Sequence, residues 1–191
     1  MPPRCFEAYI YETAFIGMVV SAVEVYPQEC LGALLGYRAW NSVDVTRRAI
    51  VENAISYQTA ERTRNTVEIK PRHEFRCKDM LYKLCSLEFI GNFHSHPDAN
   101  TTLSKTDINS MEIGNIEIVI SVNKKKRTTP WEYNAKTNEL CGVFGDYRFT
   151  VAAYSCFKDG DAKKYEKIEL LCPFALGIGS KFMDIIAAIP K

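Results

Sequence analysis

Histidine is scarce in this chain, and so is net charge. Three of the 191 residues are histidine, and 24 Lys and Arg residues face 23 Asp and Glu residues. Such a balance excludes the strong electric field by which many proteins bind nucleic acid or an anionic membrane. The basic run at residues 124–127 has no interleaved aromatic residues to stack on bases, so it predicts a solvated loop. We expect no nucleic-acid partner and no membrane partner.

Long hydrophobic runs are also missing near the start of the chain. The uncharged apolar stretch there, at residues 13–23, is about half of the ~20 residues that a membrane-spanning helix needs. The acidic residues Glu7 and Glu12 precede it, whereas a signal peptide carries positive charge in that place. The stretch therefore predicts neither a membrane span nor a secretory signal.

Paired cysteine motifs are absent. The seven cysteines are odd in number, and no two of them form a C-x-x-C pair. This pattern excludes a zinc ribbon and a fully paired framework of disulfides. We expect reduced thiols that pack as small apolar groups, as in a cytoplasmic protein.

Apolar periodicity predicts two helices. The first covers about residues 12–26 and ends at Pro27, and the second begins at Pro71, ends near Leu87 and packs on the sheet. The predicted buried faces are Ile16, Val19, Val20 and Val23 in the first helix, and Cys77, Met80, Leu81, Leu84 and Cys85 in the second.

Segments that are rich in β-branched residues, or that alternate in polarity, predict the strands. They are two strands that begin at Gly32 and Val43, the segment "FIGNFHSH", residues 116–122, and two hairpins that turn at residues 135–138 and 159–160. Strands and helices are mixed without a run of βαβ units, which predicts one α/β domain on a mixed sheet.

Two further segments are predicted less specifically. Residues 56–70 are polar with little period, which predicts a long loop with a short strand near Val67. Residues 174–189 are apolar and predict either a closing helix or a contact between copies of the chain.

His94 and His96 occupy the predicted strand that precedes Pro97. Residues i and i+2 of a strand point to the same face, so both imidazoles project together, with their backbones about 7 Å apart. Pro97 ends the strand because it has no N–H for the sheet. Two imidazoles so placed can converge on one Zn²⁺ ion, which needs a third protein ligand in a catalytic site. The other interpretation is a pair of surface histidines.

Ser104 and Asp107 lie three residues apart at the start of a predicted helix, "SKTDINSME". In one interpretation the acid is the third ligand. In the other, the serine caps the helix and the acid offsets the helix dipole. Each pattern alone is common, but a His-x-His pair followed at this spacing by Ser-x-x-Asp is rare by chance.

The segment "HSHPDANTTLSKTD" fits the spacing H-x-H-x(7)-S-x(2)-D. With this motif, the sequence resembles the JAMM (MPN-type) metalloproteases over about residues 10–145. That family also has an upstream glutamate in a context similar to P-x-E-x-x-G, and Pro27, Glu29 and Gly32 match it. The resemblance implies one domain over residues 1–191, with a curved mixed sheet flanked by helices. It assigns no role to residues 146–191.

The resemblance also implies the roles of the site residues. His94, His96, Asp107 and a water would hold one Zn²⁺ per chain, Glu29 would be the acid/base, and Ser104 would lie near the oxyanion. A carboxylate outside the ligand set can take a proton from the attacking water and pass it to the leaving amine. The remaining histidine, His73, is expected at the surface.

The function that the resemblance implies is hydrolysis of the amide bond after the C-terminal glycine of a ubiquitin-like protein. That bond is either an isopeptide bond or a peptide bond in a precursor, and residues 56–70 and 123–130 would wall the slot for the tail. The alternatives are a peptidase that trims a sulfur-carrier protein and a non-catalytic MPN-type scaffold. A zinc nucleoside deaminase is excluded because H-x-E and P-C-x-x-C are both missing.

Overall fold

The computed structural model describes residues 5–41, 46–84, 86–125 and 129–178. Strands dominate these residues, and short helices flank the strands. The elements are, in chain order, β1 (Glu7–Ile10), α1 (Glu12–Glu24), β2 (Leu31–Asn41), β3 (Thr46–Ser56), β4 (Glu61–Arg62), β5 (Val67–Glu68), α2 (Pro71–Leu84), β6 (Glu88–Pro97), α3 (Lys105–Ser110), β7 (Ile116–Lys124), β8 (Glu132–Asn134), β9 (Glu139–Phe144), β10 (Tyr147–Asp159), β11 (Ala162–Leu171) and α4 (Pro173–Gly177).

The main sheet curves until it closes on itself. Its strand order within the described residues is β11-β1-β3-β2-β6-β7-β10-β9-β8, and β11 also pairs with β10. The 13-residue strand β10 allows this closure, because its first half pairs with β9 and its second half with β11. The pairs β1–β3, β1–β11 and β6–β7 are parallel, and the others are antiparallel. The predicted α/β fold with a curved mixed sheet is confirmed.

The strands β10 and β11 lie beyond the part of the chain that carries the family resemblance. β10 pairs with β7 over nine residue pairs, from Tyr147 to Ser155. β7 in turn neighbours β6, the strand that contains both histidines of the motif. Residues 147–171 therefore complete the sheet on which the candidate site lies.

One face of the sheet packs on α1 and forms the main core. Phe15 and Met18 of α1 lie in one buried cluster with residues of β6, β7 and β10. The alternate residues of β7 that were predicted to share one face all belong to this cluster: Ile116, Ile118, Ile120 and Val122. The period-2 pattern of β7 is thereby confirmed.

The buried face of α1 agrees only in part with the predicted one: Val19 and Val23 are partly buried against the main core, but the other two predicted residues are exposed. Ile16 and Val20 are 43% and 59% exposed. The buried residues are Ala14, Phe15, Met18 and Ala22. Apolar residues surround most of this helix, so their spacing did not select a face. Close approach decided it, because a Cβ at Gly17 would lie 2.9 Å from the carbonyl oxygen of Ala54 in β3.

α2 begins at Pro71 as predicted, but it packs on the sheet less than predicted. Leu81 joins a small cluster that contains Tyr57 and Ala60. Most of the predicted face is exposed, namely Cys77, Met80 and Leu84, and Cys85 lies outside the described residues. Tyr57 and Ala60, which follow β3, form the buried part of this cluster together with Ala33 of β2.

The two predicted hairpins are confirmed as β8–β9 and β10–β11. The polar residues 56–70 contain a third, short hairpin, β4–β5. The apolar tail forms α4 as far as Gly177, and residues 179–191 lie outside the described part, so the contact between copies stays a prediction. All the cysteines that the structure describes are free. None of the described helices combines the length and the hydropathy needed to traverse a bilayer.

The second face of the sheet carries α3. Ile108 of α3 packs against a small core that includes Val119 of β7 and Tyr154 of β10. His94 pairs in register with Val119, so the two side chains point to the same face. The candidate site therefore lies between this face of the sheet and α3.

Gly91 marks a close approach of β6 to β7. Its φ is 154°, and a Cβ there would lie 1.9 Å from the carbonyl oxygen of Ile116. We expect Gly91→Ala to lower the free energy of unfolding by at least about 3 kcal/mol, because the paired backbones must move apart. The control is Gly145→Ala, where φ is 58° and nothing lies within 4 Å, so that the cost is about 1 kcal/mol of backbone strain. Urea unfolding measures both, and equal costs would contradict the close approach.

Candidate metal centre

The three predicted ligands come together between β6 and α3. The Nε2 atoms of His94 and His96 are 3.0 Å apart, and Oδ2 of Asp107 lies 3.7 Å from each of them. Among the residues that the structure describes, this is the only group of His, Cys, Asp and Glu side chains close enough to share one ion. The predicted ligand set is thus brought into one cluster.

The separations of the ligand atoms fit a tetrahedral ion. Bonds of about 2.0–2.1 Å at tetrahedral angles place ligand atoms about 3.3–3.4 Å apart. The observed distances of 3.0 and 3.7 Å lie on either side of that value. Two imidazole nitrogens and one carboxylate oxygen form a donor set that suits Zn²⁺ and leaves a fourth position for water.

The second nitrogen of each imidazole is held by an acceptor. Oε1 of Glu117 lies 2.7 Å from Nδ1 of His94, and the carbonyl oxygen of Asn100 lies 2.8 Å from Nδ1 of His96. Each acceptor keeps a proton on Nδ1 and leaves Nε2 to bind a metal. Sequence reasoning missed both residues. The available signal was a glutamate inside the apolar strand "IEIVISV", since a buried carboxylate needs a partner.

The charges in the cluster favour a cation at its centre. Burial lowers the pKa of His94, but the nearby carboxylates of Asp107 and Glu117 outweigh burial and raise this pKa to about 10. Burial raises the pKa of Asp107, but the two imidazoles outweigh it and hold this pKa well below its usual range. A divalent ion satisfies the same demand for positive charge between the two carboxylates.

The start of α3 both caps the helix and orients the third ligand. Ser104 Oγ accepts a hydrogen bond from the Asp107 N–H at 3.2 Å, and the Ser104 N–H donates to Asp107 Oδ2 at 2.6 Å. That Oδ2 also faces both imidazoles. The capping interpretation of the Ser-x-x-Asp pattern is therefore confirmed. The same geometry is compatible with Asp107 as the third ligand, which stays a prediction. Because Ser104 Oγ acts as an acceptor in the cap, its O–H is still able to donate; the role near the oxyanion stays a prediction.

Glu29 is buried just before β2, with 8% of its surface exposed. Leu31, two residues later, pairs in register with His94. The pKa of Glu29 is raised, chiefly by burial. The charge of Asp107 adds to this rise, and the charges of His96 and His94 oppose it. Glu29 therefore lies close enough to the cluster for the charges of all three side chains to affect its carboxyl group. Its role as acid/base stays a prediction.

Ser95, between the two histidines, anchors the segment that carries Glu29. The Cys30 N–H donates to Ser95 Oγ at 2.8 Å, and the Ser95 N–H donates to the Cys30 carbonyl at 3.1 Å. On the other side, the Glu29 N–H donates to the carbonyl of Thr63 at 2.9 Å. The main chain at Glu29 is thus held by both β6 and the hairpin β4–β5. Sequence reasoning assigned no role to Ser95, although a small polar residue between two ligands was visible.

Two other residues take the minor roles that the sequence predicted. Burial raises the pKa of the Cys30 thiol to about 11, so Cys30 is an apolar filler and not a reactive thiol. His73 contacts Oγ1 of Thr59 at 3.2 Å and does not belong to the ligand cluster.

A family model described as prokaryotic homologs of the JAB domain matches residues 12–135. The chain belongs to the JAB (MPN-type) family. The matched part of the JAB domain includes the whole candidate site, from Glu29 to Asp107. The family contains metalloisopeptidases as well as non-catalytic members.

A solved structure agrees with the fold of this JAB domain. It is the solution structure of protein DSY2949 from Desulfitobacterium hafniense, with a TM-score of 0.58 over 86% of this chain and 92% of that chain. The two sequences are 17% identical, so the similarity concerns the fold alone. No curated protein matches the sequence significantly.

We expect the purified JAB domain to hold about one Zn²⁺ per chain and to lose it in His96→Ala. Glu117→Gln keeps the shape of the side chain but removes the negative charge that faces His94 Nδ1, so we expect zinc affinity to fall about 10- to 100-fold. The control is Glu132→Gln, at an exposed position of β8. Elemental analysis and titration against a competing chelator measure the effects. Zinc retention by His96→Ala would contradict the site.

Proposed function

We propose that this JAB domain is a zinc-dependent hydrolase that cleaves the amide bond after the C-terminal glycine of a ubiquitin-like modifier. The observation that carries the proposal is the position of Glu29, which is buried and lies two residues before Leu31, the register partner of His94. A binding scaffold has no need for a buried acid in that place, whereas amide hydrolysis needs a proton carrier there.

Each side chain of the site then has a chemical task. His94, His96 and Asp107 would hold the Zn²⁺ ion, which when bound would supply a Lewis acid and a water of lowered pKa. Glu29 takes a proton from the attacking water and delivers it to the leaving amine. The O–H of Ser104 donates a hydrogen bond to the oxyanion that develops on the scissile carbonyl.

The position of the hairpin β4–β5 favours a substrate in an extended conformation. It contacts Glu29 through the carbonyl of Thr63, and Arg64 in its turn lies 2.9 Å from Asp98, which follows β6. Within the described residues each strand of this hairpin pairs with the other alone, so each has an open edge. An extended, glycine-rich tail can add to such an edge through main-chain hydrogen bonds. The choice of a ubiquitin-like protein rests on the family resemblance.

We expect the zinc-loaded protein to cleave a ubiquitin-like conjugate or a C-terminally extended ubiquitin-like precursor from its own source. Intact-mass measurement should show products that end at the terminal glycine, and a chelator should abolish them. Stable binding of a modifier without cleavage would replace the hydrolase by the scaffold function. Cleavage of a sulfur-carrier precursor alone would replace the proposed substrate.

We expect Glu29→Gln to leave zinc content and folding nearly unchanged and to lower turnover about 10²- to 10⁴-fold, because positioned acid/base catalysis contributes that much. Asp107→Asn should instead lower zinc retention, since an amide is a poorer ligand than a carboxylate. Glu24→Gln, an exposed position at the end of α1, is the control. Zinc content and turnover are measured for all three variants. Near-normal turnover in Glu29→Gln would show that this mechanism is wrong.

A further inference from the structure

A polar groove of about 660 Å³ opens beside the metal centre, on the side of β7 and β10. Two of its lining residues connect it to the centre. The carbonyl of Asn100 contacts Nδ1 of His96, and Ser121 pairs in register with His96. A substrate chain that leaves the metal centre in this direction therefore enters the groove.

Both carboxylates of the groove are already paired with cations, and these cations, Arg64 and Lys167, do not belong to its lining. Oδ2 of Asp98 lies 2.9 Å from the guanidinium of Arg64. Oε1 of Glu139 lies 2.9 Å from Nζ of Lys167 and accepts a hydrogen bond from Oγ1 of Thr101 at 2.6 Å. The negative charge of the groove is thus neutralised from outside.

The two cations of the lining are Lys125 and Arg148. Within residues 5–41, 46–84, 86–125 and 129–178, neither has a carboxylate at ion-pair distance. Asp146, at the outer end, accepts the Lys125 N–H with its main-chain carbonyl at 2.7 Å, and its carboxylate forms no ion pair with either cation. The two carboxylates and their two cationic partners cancel each other. Lys125 and Arg148 therefore leave two uncompensated positive charges on the wall of the groove.

The register of the sheet gives the distance between the backbone of Arg148 and that of His96. Arg148 pairs with Asn123, which lies two residues beyond Ser121, the partner of His96. With strands about 4.8 Å apart and about 3.4 Å per residue along a strand, the backbones of Arg148 and His96 are about 12 Å apart. An extended peptide covers that distance in about three residues.

We propose that this groove binds a carboxylate of the substrate, about three residues from the cleaved bond, through Lys125 and Arg148. The guanidinium of Arg148 can take a carboxylate with two parallel hydrogen bonds. The carboxylate is either an acidic side chain on the modifier side of the bond or the end of a short leaving segment. The anion site follows from the groove itself, and only the nature of the cleaved bond rests on the proposed function.

Three fluorescent peptides test the groove on zinc-loaded Glu29→Gln, which removes turnover. The parent is Ala-Ala-Gly-Gly-Ala-Ala-Ala with a dye at its N-terminus and an amide at its C-terminus. The second peptide has a free C-terminal carboxylate instead of the amide, and the third has Glu as the third residue before the bond that follows the glycine pair. Fluorescence anisotropy at low salt measures their binding.

We expect one of the two carboxylate peptides to bind about five- to tenfold more tightly than the parent. The stronger peptide identifies the side of the bond that enters the groove. Adding Arg148→Gln or Lys125→Gln should remove most of the difference, whereas Arg76→Gln, at an exposed arginine of α2, should keep it. Thermal unfolding checks that each variant is folded.

Equal binding by all three peptides, including no binding by any, would overturn the proposal. An equal loss in Arg76→Gln would overturn it too, because the effect would then come from net charge. The outcome is separate from the proposed function. A carboxylate preference in a protein that cleaves no ubiquitin-like substrate would support the groove assignment and contradict the proposed function. Cleavage without that preference would support the proposed function and overturn the groove assignment.

Discussion

The parallel pairing of β6 with β7 is the constraint on which the candidate metal centre depends. It sets His94 beside Val119 and His96 beside Ser121, and it brings Glu117 to Nδ1 of His94. In a strand pair shifted by one residue, Glu117 would point to the opposite face. His94 would then lack the acceptor that keeps its Nε2 free for a metal.

A parallel strand pair also needs a long connection between its strands, and here that connection supplies the rest of the centre. The residues between β6 and β7 include Asn100, which contacts His96, and Asp107, which accepts a hydrogen bond from the Ser104 N–H at the start of α3. Tyr154 fastens the connection to the sheet, since its hydroxyl donates to the carbonyl of Thr101 at 2.9 Å. The same connection forms part of the wall of the polar groove beside the metal centre. Topology thus joins the ligands, their supporting acceptors and the groove in one segment.

The sequence predicted elements better than it predicted their buried faces. The alternation in β7 was reliable because a strand has two faces, and one of them is continuously apolar. The spacing in α1 was right for Val19 and Val23 but wrong for Ile16 and Val20. The helix is apolar almost all around, and the close approach at Gly17 selected the face. Of the face predicted in α2, Leu81 packs partly against a cluster in which Tyr57 and Ala60, from the loop after β3, already cover Ala33 of the sheet. The periodicity of a segment shows which of its residues share a face. It does not show which of two segments will cover a given surface.

The sequence by itself determined that His94 and His96 share a face, which holds at any position in a sheet, and the family resemblance pointed to Asp107 as their partner. Glu29 was found through its sequence context alone. Only the tertiary structure decided that Glu117 and Asn100 support the imidazoles, that Ser95 holds the chain beside Glu29, and that Lys125 and Arg148 face a common groove. These contacts depend on strand register and on the closure of the sheet. Both are set by the packing of the whole chain, and a local pattern of residues does not contain them.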